Sequence, residues 1–233
     1  MNSVVINQYG RRQFIDEASL SVPKDFEIIA VTDFEYKECN TNIVLNESAV
    51  GTRYKAGLER ASGDFVYLLD DDDLFIVKPP FPDKERVVSK IGMRNPSERD
   101  VIRYHLDWHI SQYCLRKDFA QNLPIYGIKD SLDKVIFFYA LGSGISFNPT
   151  MYVHKRRHQG SKMALTDKKQ FYLSTASIFL NLLKRPMNEA QKRYALYNYN
   201  LNLFLAGEKI AFAEIKKLIP FSRRIYYSVR PTG

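Results

Sequence analysis

The chain has 233 residues, with 34 Lys and Arg against 26 Asp and Glu, a formal charge of +8. Its 45% hydrophobic and 26% charged content is ordinary for a soluble globular protein. No apolar run approaches the roughly 18 residues that span a bilayer, and Met1-Asn2-Ser3-Val4-Val5-Ile6 lacks the basic and apolar regions of a signal peptide. Cys39 and Cys114 form no CxxC, so the expectation is reduced thiols in a cytoplasmic protein. The positive charge favours an anionic partner: a phosphorylated substrate, an anionic membrane surface or nucleic acid.

Taken in order, Val4-Val5-Ile6 predicts a first strand within residues 3–9. Phe14, Ile15, Ala18 and Leu20 give a weak helical spacing over 11–20, and Pro23 breaks it. Glu27-Ile28-Ile29-Ala30-Val31-Thr32-Asp33 is a second buried strand that ends in a carboxylate. Ile43-Val44-Leu45 is a short third strand, and 51–61 predicts a helix ended by Ser62-Gly63. Phe65-Val66-Tyr67-Leu68-Leu69 is a continuous apolar run of the kind found in the middle of a parallel sheet. The order strand, helix, strand, strand, helix, strand predicts a parallel-type sheet with crossover helices.

Four carboxylates, Asp70 to Asp73, follow that run at once. Adjacent like charges at the end of a buried strand repel one another. A hard divalent cation such as Mg²⁺ or Mn²⁺ removes that cost, because it prefers carboxylate oxygens. An acidic run is ordinarily a solvated loop, but a solvated loop needs no buried strand as an anchor. In open α/β sheets, ligands bind beyond the carboxyl ends of the strands. The pattern therefore sets a metal-binding group where such a fold keeps its active site.

Pro79-Pro80-Phe81-Pro82 ends this half. Residues 83–112 are polar and without clear period, although 101–104 and 108–115 have strand character. Residues 131–141 predict a helix with Leu132, Val135, Ile136, Tyr139 and Ala140 on one side, and 145–148 and 151–153 look extended. From Thr166 the texture is helical, with helices predicted at 170–183, 189–205 and 208–218, punctuated by Pro186 and Gly207. The expectation is an α/β domain over 1–165 and a helical C-terminal extension over 166–233.

The residues then resemble a known family. The strand and Asp at 27–33, followed by Gly57-x3-Ala61-x-Gly63-Asp64-Phe65-Val66-Tyr67-Leu68-Leu69-Asp70-Asp71-Asp72-Asp73, look like the nucleotide-sugar-binding half of family 2 glycosyltransferases with the GT-A fold. Tyr113-Cys114-Leu115-Arg116-Lys117-Asp118-Phe119 is similar to that family's strand-then-R-x-x-F segment. Tyr152-Val153-His154-Lys155-Arg156-Arg157-His158-Gln159-Gly160-Ser161 resembles its Y-x-x-H-x-G-S ending. The likeness covers residues 3–162.

The resemblance implies a Rossmann-like GT-A fold, a mixed and mainly parallel sheet flanked by helices. It implies inverting, divalent-metal-dependent transfer of a sugar from a nucleotide-sugar donor to a glycan, protein or lipid-linked acceptor. It assigns Asp70 and Asp72 to the DxD motif that holds Mg²⁺ or Mn²⁺ on the donor diphosphate. Asp33 would contact the nucleoside, Asp71 and Asp73 would tune the site or simply face solvent, and His158, near the metal and diphosphate, would coordinate the metal or donate to phosphate. The family's diphosphate-side Arg falls at Arg53 or Lys55, and the register leaves both open. The family's base, an Asp at the start of a helix, leaves Asp130 and Asp133 open, with Asp130 slightly favoured. The same two residues have capping-box spacing, so either could simply stabilise a helix N-terminus.

There are departures. The family's Asp-Asp-Gly-Ser becomes Thr32-Asp33-Phe34-Glu35, and Lys129 stands where the family has Glu. These keep open an alternative, a non-catalytic sugar-nucleotide or glycan-binding module of the same fold. A nucleotidyltransferase ranks lower for want of a glycine-rich loop near the first strand. Nucleic-acid binding is not expected, since no motif supports it. Outside the resemblance, the apolar faces of 170–183 and 189–205 imply core packing or a homodimer. The mixed basic and aromatic stretch from Ile215 to Tyr227 suits peripheral contact with an anionic membrane.

Overall fold

The computed structural model describes residues 1–79, 88–91, 109–141, 143, 145–148, 153–155, 167–209 and 230–231. Its first half runs β1 (Asn2–Asn7), α1 (Ile15–Ser21), β2 (Phe26–Thr32), β3 (Thr41–Val44), α2 (Val50–Arg60) and β4 (Phe65–Asp70). There follow β5 (Asp73–Phe75), β6 (Val88–Ile91), a 3-10 turn (Ile110–Gln112), β7 (Tyr113–Arg116), α3 (Lys117–Asn122) and α4 (Leu132–Ala140). Then come β8 (Ile145–Asn148), β9 (Val153–Lys155), α5 (Lys168–Leu182), α6 (Glu189–Leu205) and β10 (Arg230–Pro231).

Among the described residues, eight strands form one sheet in the order β10-β8-β6-β7-β4-β1-β2-β3. Every pairing in it is parallel except the two that β7 makes, with β4 and with β6. A single reversed strand thus sits in the middle of an otherwise parallel sheet. β5 and β9 form a separate antiparallel ribbon with Asp73 opposite Lys155. The expected α/β class and mainly parallel sheet are what the chain forms.

The apolar runs explain this arrangement. Val5, Ile29, Val31, Val66 and Leu68 join a core with Tyr54 and Leu58 of α2. Val4, Ile6, Ala30, Tyr67 and Leu69 join the other with Ile15 and Ala18 of α1. The two-residue period of a strand deals one continuous apolar run to both faces, and a helix covers each. α2 lies so close to the sheet that a Cβ on Gly57 would collide with Val5 Cγ1 and sit 3.1 Å from Val31 Cγ2. A Cβ on Gly63 would lie 2.7 Å from the Ser3 backbone nitrogen, where the turn into β4 passes the start of β1. Close approach is the physical content of the Gly57 and Gly63 positions.

Some expectations shift. The strand expected at 108–115 is Tyr113–Arg116, because residues 110–112 wind into the 3-10 turn. The helix expected at 189–205 has those bounds, while Glu208 and Lys209 are not helical. Residues 101–104, 151–152 and 210–218, the boundary at 165/166, the run through His158 and the basic stretch at 215–227 lie outside the described residues. α5 and α6 share a core with the sheet through Phe179, Leu182, Tyr194 and Ala195. Among the described residues no helix is long and apolar enough to cross a membrane, and both cysteines are free.

Candidate metal and donor site

The reversed strand makes the end of β4 into a site. β7 runs against β4 with Cys114 opposite Tyr67, so the chain entering β7 arrives beside the carboxyl end of β4. There the Asp70 backbone N–H donates to Ser111 Oγ at 2.9 Å. Just before Ser111, His109 turns its imidazole to the acidic run. Its Nε2 is 3.8 Å from Asp70 Oδ2 and its Nδ1 is 3.1 Å from Asp73 Oδ2.

The turn at Asp71 and Asp72 reverses the chain into β5 and brings Asp73 back toward Asp70. One ligand atom from each of Asp70, Asp73 and His109 lies within 4.8 Å of the others. The Asp73 side chain is only 1% exposed, and neither carboxylate oxygen accepts a hydrogen bond. A buried carboxylate without hydrogen bonds is costly, and a cation shared with Asp70 and His109 offsets the cost. Two carboxylates and an imidazole are a donor set that fits a divalent metal ion.

The other two carboxylates turn elsewhere. Arg11 Nη2 lies 3.5 Å from both Asp71 Oδ1 and Asp72 Oδ2. Of the expected metal pair, Asp70 is in the cluster and Asp72 is held by Arg11. Burial pushes the Asp70 carboxyl up to about 6; the nearby His109 opposes the rise and Asp73 adds to it. Burial pushes Asp71 up to about 7 against the pull of Arg11. Tyr54 of α2 donates its hydroxyl to Asp70 Oδ1 at 2.7 Å. Burial and the Asp70 charge raise that phenol well above its ordinary value, so it remains a donor.

Beyond β2, Asp33 Oδ2 accepts the Gly10 N–H at 2.9 Å, and its Oδ1 is buried with no hydrogen-bond partner. Gly10 has φ +75°, which favours glycine in this turn. Beside it Tyr9 is 43% exposed, its ring 5.1 Å from the Arg53 guanidinium. Arg53 itself is buried, and all five of its N–H donors have acceptors within the protein. Nε donates to Asn7 Oδ1 at 2.8 Å, Nη1 to the carbonyls of Leu45 (2.5 Å) and Glu47 (3.4 Å), and Nη2 to those of Gln8 and of Val31 (2.6 Å). One guanidinium thereby ties together the carboxyl ends of β1, β2 and β3. Lys55 turns to α3 instead, donating to the Gln121 carbonyl and pairing with Glu59 at 3.3 Å.

No family model and no curated protein matches the chain. Solved structures do. Staphylococcus aureus TarS 1-349 in complex with UDP-GlcNAc matches with a TM-score of 0.62 at 19% identity, covering 98% of this chain and 81% of that one. TarS 1-349 in complex with UDP matches with a TM-score of 0.58 at 19% identity, over 87% and 72%. Against the longer TarS chain the TM-score is 0.58 at 18% identity, over 87% of this chain and 43% of that one. The chain shares the GT-A-like fold of these structures.

In this GT-A-like core the two acids expected to include the base flank the start of α4. Asp130 Oδ2 accepts the Ser174 hydroxyl at 3.1 Å. Ser131, the N-cap, has φ +54°, the one positive φ of a non-glycine among the described residues. The side chain of Ser131 makes no cap hydrogen bond to α4. Tyr113 donates its hydroxyl to the Asp133 carbonyl at 2.7 Å. Burial raises the Asp133 carboxyl, with Lys134 and His109 opposing, so Asp133 is within electrostatic reach of the cluster's imidazole.

His109, Arg11 and Tyr9 do not stand out from the sequence as site residues, and Asp73 is expected there only to tune the site or face solvent. Asp73 carries a readable signal: Leu74-Phe75-Ile76-Val77 after the acids marks a second strand, hence a turn that pairs the outer acids. His109 has none, because its place depends on the register of β7. His158 lies outside the described residues.

Proposed function

We propose that the chain is a divalent-metal-dependent, inverting glycosyltransferase that moves a sugar from a nucleotide-sugar donor to a glycan, protein or lipid-linked acceptor. The observation that carries this reading is Asp73, a buried carboxylate without a hydrogen bond, set beside Asp70 and His109 at the carboxyl ends of a GT-A-like sheet. Asp70, Asp73 and His109 would hold Mg²⁺ or Mn²⁺, which supplies charge neutralisation for the departing nucleoside diphosphate.

The chain's own residues do the remaining work. The exposed Tyr9 ring offers a stacking face for the base. Asp33 Oδ1, buried and without a partner, accepts from the nucleoside. Arg11, held by Asp71 and Asp72, brings positive charge to the diphosphate side. Arg53 supports these groups from behind, and His158 remains a proposed phosphate contact. Asp133 takes the acceptor hydroxyl's proton as the oxygen attacks the anomeric carbon and the bond to the diphosphate breaks from the opposite face. What favours Asp133 over Asp130 is its electrostatic reach to His109 of the cluster, while Asp130 accepts the Ser174 hydroxyl.

TarS binds UDP-GlcNAc and UDP, so uridine nucleotides head the donor panel. The test is thermal shift with nucleotide sugars, with and without Mn²⁺, followed by donor turnover. A manganese-dependent rise in melting temperature with one donor, and release of its nucleoside diphosphate, supports the reading. No shift with any donor overturns it. Binding without turnover of the donor across acceptors moves the chain to the non-catalytic class.

A further inference from the structure

Helices α5 and α6 fall outside the motifs that resemble the family, yet they reach the turn before α4. Ser174, on α5, donates to Asp130 Oδ2 at 3.1 Å. Its neighbour Thr175 is fully buried, with Oγ1 2.9 Å from Ser131 Oγ and 3.0 Å from the Phe171 carbonyl. One step of α5 thus holds two successive residues of the turn, and the second of them has the left-handed backbone. Such a conformation persists only where its surroundings impose it. From the sheet side, Tyr113 grips the Asp133 carbonyl at 2.7 Å. From α6, Gln191 Nε2 donates to the Phe138 carbonyl at 3.2 Å, and Tyr194 packs its ring 4.9 Å from Phe137 and 5.8 Å from Phe179.

We infer that α5 belongs to the reaction centre, with Ser174 and Thr175 as positioning residues that fix the Asp130–Asp133 turn against the donor site. Thr175 Oγ1 has a single proton. With the Phe171 carbonyl accepting it, Ser131 Oγ–H donates to Thr175, and the orientation of the turn is tied to one helix register. A base displaced by about 1 Å loses up to roughly a hundredfold in rate. The C-terminal helices therefore do for the base what β7 does for the metal cluster. This inference rests on the glycosyltransferase reading, and its test contains one arm that does not.

The variants are Thr175→Val, which keeps the shape and removes the hydroxyl, Thr175→Ser, which keeps it, and Ser174→Ala, all in the full chain. The expected result is a fall of about ten- to hundredfold in kcat for Thr175→Val, a smaller fall for Ser174→Ala, and an unchanged donor KM. Thr175→Ser restores activity to near that of the parent. Hydrogen exchange gives the activity-independent arm: amides of residues 128–134 exchange faster in Thr175→Val, while the thermal shift given by UDP with Mn²⁺ is unchanged. A parent chain that turns over no donor sinks the proposed function and leaves the exchange arm to decide this inference. Unchanged exchange in that turn, an unchanged kcat, or a kcat loss that Thr175→Ser does not rescue overturns it.

Discussion

Asp73 Oδ2 lies 3.1 Å from His109 Nδ1, although β6 lies between the two residues in the chain. Their meeting leaves a charge in the interior that no hydrogen bond compensates. Asp73→Asn keeps the shape and removes that charge. Without metal, the variant should melt at the same temperature or higher, since a buried charge lacking hydrogen bonds is replaced by a neutral isostere. Its Mn²⁺ affinity should fall by more than the roughly 10–100-fold seen for groups that only support metal ligands. Asp72→Asn, which alters the Arg11 contact, should cost less. Calorimetric titration of both variants with Mn²⁺ checks the ranking, and equal losses would return Asp72 to the ligand set.

The acid cluster sets a pH dependence of definite sign. Asp70 and Asp71 rise from an ordinary 3.8 to about 6 and about 7. Between these values the native protein binds more protons than the unfolded chain. The contribution to stability is complete below about pH 4 and is lost as pH rises through about 6 to 7. A cation reverses this by favouring the ionised carboxylates. Urea midpoints in chelator should therefore fall from pH 5 to 8 relative to those in Mn²⁺, so the gap between the two conditions widens with pH. A gap independent of pH would show that Asp70 does not meet the metal.

Arg53 makes a prediction about stability. Removing the side chain leaves the carbonyls of Gln8, Val31, Leu45 and Glu47 without this donor where three strands end. Arg53→Ala should cost about 3–5 kcal/mol, as breaking a buried charged network does. Arg53→Lys keeps the charge but cannot present a planar fork to acceptors on three strands. It should cost about 1.5–3 kcal/mol. Chemical denaturation measures both, and a lysine variant as stable as the parent would deny Arg53 its role as a tie.

How far the sequence could be read follows from the range of the forces involved. β1, β2 and β4 are legible because a strand buried on both faces leaves a continuous apolar run, and Asp70 is legible because it caps one. Gly57 and Gly63 are legible as a pattern, and the packing against Val5 and Ser3 supplies the cause. The partnership of Asp70 with Asp73, instead of Asp72, depends on a turn between two strands, which the apolar residues after Asp73 signal and the spacing of the acids alone does not. His109 depends on the register of β7 against β4, a contact with no local signature. Likeness could bring an arginine near the diphosphate, but not that all five donors of Arg53 are occupied by the protein.

The last prediction separates Asp133 from Asp130. The two stand on opposite sides of the Ser131 turn, one within electrostatic reach of His109 and the other bonded to Ser174. If Asp133 accepts the acceptor's proton, Asp133→Asn should lower kcat by about 10²–10⁴ and leave the binding of UDP with Mn²⁺ unchanged. Its raised carboxyl also places the acid limb of the parent's kcat profile above the ordinary carboxylate range, and that limb should vanish in the variant. Asp130→Asn keeps an acceptor for Ser174 and should lose about tenfold or less. Steady-state kinetics across pH read all three effects. A larger loss in Asp130→Asn than in Asp133→Asn would reverse the roles, making Asp130 the base and Asp133 a residue of the helix start.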